Sequence, residues 1–226
     1  MIAIELFAGS RSFGKVAEEY GHDVISTDIK QFGDIDWVGD ILDIPIETFA
    51  DLKPDIIWAS PPCTYFSVAS IGHHWHEDNT PKTEQAILGV QIVQKTIDII
   101  KACNPRYFFI ENPRGKLRSL KILKHIPRTS VWYCKYGDYR AKPTDIWSNH
   151  IADLFNPEGW QPRPECFNGN IKCHHDEAPR GSKTGTQGLR NNYERSKIPE
   201  QLMIEIIKSI PNDNTRNARA EDEASA

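Results

Sequence analysis

Short apolar runs alternate with amphipathic segments along the first 150 residues. The runs IAIELF, DVISTDI, DWVGDI, DIIWAS and RYFFIEN each have the length of a β-strand. The segment GKVAEEYG predicts a helix that ends at Gly21, and residues 83–104 predict a longer one. In the longer helix five apolar side chains recur at helical spacing: Ala86, Val90, Val93, Ile97 and Ile100. Strands that alternate with helices predict an α/β fold with a doubly wound, mostly parallel sheet covered on both faces.

The pattern changes in the second half of the chain. We expect a basic amphipathic helix near residues 117–126, then two strands, TSVWYCKYG and PTDIWSN, forming a hairpin at the sheet edge. Residues 149–194 are rich in Pro, Gly, Asn and charge, and they predict a small irregular lobe. The segment IPEQLMIEIIKSI then predicts a returning helix with Pro199 in its first turn. The predicted division is a main domain over 1–148, the lobe over 149–194, the returning helix over 195–211 and a disordered tail over 212–226.

Composition limits the class of protein. An apolar content of 39% supports a hydrophobic core, no run approaches a membrane span, and the N-terminal MIAIELFAG lacks the features of an export signal. Five cysteines without disulfide-like spacing indicate a reducing cytoplasm. The net charge of −4 is uneven, because residues 114–142 contain nine Lys and Arg but one acid. That block is either a solvated face or a surface able to contact several phosphates.

The candidate chemistry falls at the ends of the predicted strands, where α/β folds bind their substrates. Cys63 follows Pro61 and Pro62 directly after a strand, which is typical of a nucleophile on a stiff loop, although a free cysteine is more often a small buried hydrophobe. Glu111 ends the next long strand, where burial would raise its pKa and let it act as an acid. A helix cap or an ion pair is the alternative for Glu111.

A second group of strand ends is suited to a nucleotide. ELFAGSRSFG has the general form of a nucleotide-binding turn without a dinucleotide fingerprint. Asp28, one strand–helix–strand unit later, is placed to accept hydrogen bonds from a ribose diol, or is an ordinary turn residue. Asp40, at the third strand end, is placed to accept from an adenine amino group.

Taken together, ELFAG, TDI, GDI, SPPCTYFS and ENP resemble the DNA cytosine-5 methyltransferases, particularly the compact phage-type members, in order and rough spacing. The resemblance covers residues 1–149 and implies a class I S-adenosylmethionine-dependent methyltransferase fold, which is Rossmann-like, with 149–194 as a reduced target-recognition lobe. It implies transfer of a methyl group from S-adenosylmethionine to C5 of a cytosine flipped out of double-stranded DNA. In that chemistry Cys63 attacks C6 and Glu111 acts at N3. It further implies a monomer in the cytoplasm of a bacterium or a phage-infected cell.

The resemblance also implies a set of site residues. The catalytic ones are Cys63, Glu111 and Arg140, the last from YGDYRAKPTDIW, in which Arg140 and Lys142 approximate the family's QxRxR motif. The cofactor-binding ones are Phe7, Ala8, Gly9, Asp28, Ile29, Asp40, Ile41, Pro61 and Ser196.

Several departures from the family pattern leave the donor, the reaction and the substrate open. Arg11 and Ser12 stand where small residues are usual, Pro113 replaces Val, and Arg195 with Ser196 replaces a late Gly-Asn element. A cation at Arg195 favours carboxy-S-adenosylmethionine as donor, which would make the product carboxymethylated. The chain is also compatible with an exocyclic amino DNA methyltransferase, with a non-catalytic nucleic-acid-binding protein and with an RNA substrate.

No metal site is expected from the sequence. Cys166 and Cys173 are separated by six residues, which is longer than the paired spacing of most zinc sites, and His174 and His175 follow. We interpret these four as loop residues. The run HHWH, residues 73–76, is interpreted as an exposed or DNA-contacting part of the catalytic loop.

Overall fold

The computed structural model describes residues 1–68, 70–179, 185–189 and 191–211, and these contain one seven-stranded sheet. Its strands are β1 Ile2–Leu6, β2 Asp23–Asp28, β3 Trp37–Val38, β4 Ile56–Ala59, β5 Tyr107–Pro113, β6 Arg128–Trp132 and β7 Pro143–Ser148. Their order is β3-β2-β1-β4-β5-β7-β6. β1 to β5 pair in parallel, whereas β7 is antiparallel to both of its neighbours. The predicted α/β class, mostly parallel sheet and edge hairpin are therefore confirmed, and the predicted tail at 212–226 lies outside the described residues.

Six helices accompany the sheet in the described part of the chain. They are α1 Ser12–Glu19, α2 Ile46–Ala50, α3 Ile71–His74, α4 Glu84–Cys103, α5 Asn192–Ser196 and α6 Glu200–Ser209. The short helices α2, α3 and α5 were not predicted, and α5 begins inside the lobe that was predicted to be irregular over 149–194. None of the described helices is long and apolar enough to cross a membrane.

Helices cover both faces of the sheet because alternate strand residues point to opposite sides. On one face Trp58 packs with Phe13 of α1 and the apolar side of α6. On the other face Ile57 belongs to a core shared with α2 and α4. All four residues of β4 are buried, so the strand that leads to Cys63 lies in the centre of the molecule.

The turn from β1 into α1 is organised by a buried carboxyl group. Arg11 precedes α1 in a left-handed conformation and gives no side-chain cap. Instead, the side chain of Glu5 accepts the amide N–H groups of Phe13 and Gly14, at 3.1 and 3.0 Å. These donors would otherwise lack partners in the first turn of a helix. Burial raises the pKa of Glu5 to about 8, although the two N–H groups and Arg11 oppose that shift.

The helix predicted near residues 117–126 is wrong. Two short 3₁₀ turns occupy the segment, Lys116–Ser119 and Lys121–Leu123. Its backbone hydrogen bonds span three residues, from Leu120 to Leu117, from Leu123 to Leu120 and from Ile126 to Leu123. That is the pattern of a 3₁₀ helix, whereas an α-helix joins residues four apart.

The segment after β7 contains little regular structure, and its role as a separate lobe stays a prediction. Between Asn149 and Asn191 its described residues form no helix and no strand beyond a single bridge from Ile151 to Trp160. Trp160 is 2% exposed and belongs to the core beneath α6. The returning helix α6 begins directly after Pro199, which occupies the cap position.

Candidate active site

Cys63 lies on a loop whose base is tied to the neighbouring strand. The amide nitrogen of Asn112 donates to the carbonyl oxygen of Pro61 at 2.8 Å, and this contact joins the carboxyl ends of β4 and β5. The indole N–H of Trp58 donates to the Ser60 hydroxyl at 2.9 Å, just before the two prolines. The predicted stiff support for Cys63 therefore includes Asn112, which lies beside Glu111 in the ENP motif.

The loop beyond Cys63 rests on the segment that follows Glu111. Ser67 and Gly115 form an isolated antiparallel bridge, and the amide N–H of Lys116 donates to the carbonyl oxygen of Phe66 at 2.7 Å. A Cβ atom on Gly115 would lie 2.1 Å from that same oxygen. Only glycine permits so close an approach of the two backbones.

Glu111 is buried at the end of β5 and held by a tyrosine. The Tyr133 hydroxyl donates to Glu111 Oε1 at 2.9 Å, and neither residue is more than 5% exposed. Burial raises the pKa of Glu111, while Lys142 and the hydrogen bonds from Tyr133 and Ser60 oppose the shift. Burial also raises the pKa of Tyr133 well above its usual value, which keeps its hydroxyl a donor. No sequence pattern pointed to Tyr133, which lies inside an aromatic run.

Lys142 is the cation that acts on both candidate catalytic groups. Its side chain is buried, with Nζ donating to the carbonyl oxygen of Arg195 at 2.8 Å and lying 4.5 Å from the Tyr133 ring centroid. Burial raises the pKa of the Cys63 thiol, and the positive charge of Lys142 is the main influence lowering it. Burial conversely lowers the pKa of Lys142, whereas the charges of Glu111 and Cys63 raise it. The protonation states of these three groups are therefore interdependent.

Arg140 is engaged elsewhere. Its guanidinium group pairs with Asp138 and donates to the carbonyl oxygens of Glu194, Arg195 and Lys197, at 3.0, 3.2 and 3.1 Å. These contacts fix the end of α5 against the sheet edge. They give Arg140 a positioning role, and its participation in catalysis stays a prediction.

Where the sequence predicts nucleotide binding, the turn after β1 contacts the end of β2. The amide N–H of Gly9 donates to Asp28 Oδ2 at 3.0 Å, and that of Lys30 donates to Oδ1 at 3.0 Å. Three residues of this turn are left-handed: Phe7, Gly9 and Arg11. Such strain is typical of functional loops. Each carboxylate oxygen keeps a second lone pair, so Asp28 can still accept hydrogen bonds from a diol.

The other residues predicted to bind the cofactor differ in how far they are buried. Ala8 is buried, with its amide donating to the Thr27 carbonyl at 3.0 Å, and Ile41 is buried beside α2 and α4. Asp40 Oδ1 accepts the Leu42 amide at 3.0 Å, whereas Ile29 is 61% exposed.

Ser196 is exposed, and its hydroxyl donates to the Tyr193 carbonyl at 2.7 Å. The chain then returns to the turn, where the Ile198 amide donates to the Ser12 hydroxyl at 3.2 Å. A cleft of about 290 Å³ separates the turn from α5. It is lined by Gly9, Ser10, Arg11, Lys15, Gln31, Phe32, Gly33, Asp34 and Tyr193.

Two comparisons of the sequence with known proteins gave matches. A sequence model of the family described as C-5 cytosine-specific DNA methylase matches residues 4–127, more than half of the chain. A Frog virus 3 (isolate Goorha) protein named "Probable DNA (cytosine-5)-methyltransferase" is 28% identical over 225 residues, covering 92% of this chain and 99% of that protein.

Two solved structures superpose on the chain. The Entamoeba histolytica methyltransferase EhMeth does so with a TM-score of 0.53 at 12% identity, over 92% of this chain and 97% of that one. The S. pombe Dnmt2 methyltransferase does so with a TM-score of 0.48 at 13% identity, over 66% of this chain and 49% of that one. The chain thus spans about half the length of the second structure, and the likeness to the first shows a common fold.

Proposed function

The chain belongs to the C-5 cytosine-specific DNA methylase family, and from that premise we propose that it transfers a methyl group from S-adenosylmethionine to C5 of a cytosine in double-stranded DNA. One observation carries the proposal. Cys63 follows β4 and Glu111 lies near the end of the adjacent parallel strand β5, and each has Lys142 among the charges that shift its pKa. A thiol and a carboxyl group around one cation are the two reactive groups that addition to a cytosine ring requires.

Cys63 supplies the nucleophile in this proposal. Its sulfur forms a bond to C6 of a cytosine held outside the duplex, and the electron pair of the C5–C6 double bond moves into the ring. The reactive form is the thiolate, so the positive charge of Lys142 favours attack. Loss of the C5 proton after transfer, followed by cleavage of the S–C6 bond, restores Cys63.

Glu111 supplies the proton or hydrogen bond at N3. Its pKa is raised by burial, which favours the protonated form, as a group that donates to a ring nitrogen needs. The hydrogen bond from Tyr133 to Oε1 orients the carboxyl group towards the base. A proton placed at N3 neutralises the charge that develops in the ring when Cys63 adds.

The donor fits the turn after β1. Asp28 has free lone pairs for ribose hydroxyl groups, and the cleft between Gly9 and Tyr193 is open beside it. S-adenosylmethionine, when bound, would supply an electrophilic methyl group on its sulfonium; C5 would bond to the methyl carbon and S-adenosylhomocysteine would leave. Phe7, Asp28 and Asp40 would hold its nucleoside.

The DNA partner would be held by basic side chains near the loop of Cys63. The exposed basic residues from 114 to 128 are Arg114, Arg118, Lys121, Lys124 and Arg128. Two of them, Arg118 and Arg128, form ion pairs with Asp145, which is fully buried. Phosphate contact in this segment therefore falls mainly to Arg114, Lys121 and Lys124.

A nucleoside mass spectrum tests the proposal. Duplex DNA incubated with the protein and S-adenosylmethionine should gain 5-methylcytosine, and Cys63→Ala should abolish the gain while Cys103→Ala retains it. Methylation of an exocyclic amino group that survives Cys63→Ala would overturn the C5 mechanism. Absence of any methylated base, with DNA still bound, would favour a binding role.

A carboxymethyl donor is a second candidate, favoured by one observation. The charge of Arg195 is among those that lower the pKa of Cys63, which indicates a cation close to the point of transfer. The same assay with carboxy-S-adenosylmethionine would then yield 5-carboxymethylcytosine in preference to 5-methylcytosine. Exclusive use of the unmodified donor would remove this candidate.

A further inference from the structure

Four side chains distant from Cys63 meet at the junction of the sheet edge and the irregular segment. Cys134, Cys166, Cys173 and His175 each offer one ligand atom, and these atoms lie within 4.8 Å of one another. The sulfur of Cys166 is 3.9 Å from Nδ1 of His175. Tetrahedral zinc, with Zn–S bonds of about 2.3 Å and Zn–N bonds of about 2.0–2.1 Å, holds its ligand atoms about 3.4–3.8 Å apart. A small contraction of the cluster would produce that geometry.

We propose that Cys134, Cys166, Cys173 and His175 bind one zinc ion. Three sulfurs and one imidazole nitrogen are a typical donor set of closed structural zinc sites. Binding would release the three thiol protons, because the ligands are thiolates. The sequence-based expectation of no metal site considered only Cys166, Cys173, His174 and His175. It missed Cys134, more than 30 residues earlier, which replaces His174.

The surroundings are those of a buried structural site. Cys134, Cys166 and His175 are 0, 6 and 8% exposed, and Trp132 and Ala141 pack against the cluster. The amide nitrogen of Asn170 donates to the Cys166 sulfur at 3.4 Å, as groups around metal-bound thiolates do. His174 turns away, with Nε2 3.2 Å from the carbonyl oxygen of Asp138.

The loop that joins the ligands needs a source of stability other than a hydrophobic core. Phe167 and Ile171 lie between Cys166 and Cys173 and are 60 and 96% exposed. Small segments that bury little apolar surface commonly depend on a metal. An ion here would bind this loop to Cys134, directly after Tyr133, which holds Glu111. Its role is to fix the irregular segment on the sheet edge.

Metal analysis of the full chain tests the proposal. The protein is purified under reducing conditions without chelator, or reloaded anaerobically with zinc. Mass spectrometry should then show one equivalent of zinc per chain. Cobalt in place of zinc should give the thiolate charge-transfer and visible bands of a tetrahedral site, and zinc should displace it. Cys134→Ser should lose the equivalent, whereas Cys103→Ser and His174→Ala should keep it.

Any of three results would overturn the proposal. One is wild-type protein that takes up neither zinc nor cobalt. The second is a Cys134→Ser variant that retains one equivalent of zinc, and the third is a folded His174→Ala variant that loses it. Because a serine variant can fail to fold, His175→Cys serves as the second variant: it keeps four ligands, so it should bind one equivalent with a cobalt spectrum altered toward four thiolates. A folded His175→Cys protein without metal would also count against the site.

Discussion

Replacing Lys142 with methionine should raise the pKa of Cys63. Lys142→Met keeps an unbranched side chain, one atom shorter, within the buried site and removes the charge that chiefly lowers this pKa. An opposite charge at close range typically shifts a pKa by about 1–3 units, and each unit corresponds to about 1.36 kcal/mol. At neutral pH the thiolate fraction should therefore fall about 10- to 1000-fold, and adduct formation with it.

The direct assay follows alkylation of Cys63 against pH. Iodoacetamide modification of the peptide that contains Cys63, measured by mass spectrometry from about pH 6 to about pH 11, reports the thiolate. The pH midpoint of alkylation should move upward in Lys142→Met and stay the same in the control variant Lys208→Met. The Lys208 ammonium also lies near an aromatic ring, 5.7 Å from the ring centroid of Tyr20, but it is on the exposed surface of α6. Trapping with a 5-fluorocytosine duplex should slow in parallel. An unchanged midpoint in folded Lys142→Met would refute the electrostatic role of Lys142.

Three further predictions concern the groups around the site. Tyr133→Phe removes the hydroxyl that orients Glu111. A loss of about 1.4 kcal/mol of transition-state stabilisation should slow methyl transfer about 10-fold, with KM for DNA unchanged. An unchanged kcat would contradict this prediction. The pKa of Glu5 is raised to about 8, so its contribution to the free energy of unfolding is lost as pH rises from about 4.5 to about 8; urea unfolding should show this fall in wild type and a flatter profile in Glu5→Gln. Gly115→Ala should destabilise the chain by about 1–3 kcal/mol and lower activity, because its Cβ would clash with the Phe66 carbonyl oxygen. The control Gly72→Ala should not destabilise it, because the space around Gly72 is open. Equal urea midpoints for the two variants would contradict this prediction.

The sequence was most informative where one local period dominates. The helix α4 was predicted to within a residue from the helical spacing of its apolar side chains. Its ends coincide with Thr83, whose side chain accepts the Ala86 amide, and with the left-handed Asn104. The segment at 117–126 was misassigned because its apolar spacing, which mixes three and four, also suits an α-helix. Its 3₁₀ turns are defined by backbone hydrogen bonds that the side-chain pattern does not encode.

Contacts between distant segments were beyond the sequence. Cys63 and Glu111 were recognisable because each follows a strand in a short motif, with Asn112 beside the second. Tyr133 and Cys134 carry no local signal, because their partners lie 22 or more residues away and are brought close only by the β6–β7 hairpin. Such pairings depend on tertiary packing, which a period along the chain does not encode.

The irregular segment is anchored to the rest of the molecule at both of its ends. At one end the His150 ring lies 3.1 Å from the Ser209 carbonyl oxygen, and at the other Arg140 and Lys142 donate to the carbonyl oxygens of residues 194, 195 and 197. The entropy of closing a loop between fixed ends grows slowly, by about 0.6 kcal/mol for each doubling of length. Insertions between these anchors that leave Trp160 and the proposed zinc ligands in place are therefore thermodynamically cheap. Exposed positions such as Phe167 and Ile171 can change while the positions of Cys63 and Glu111 stay the same.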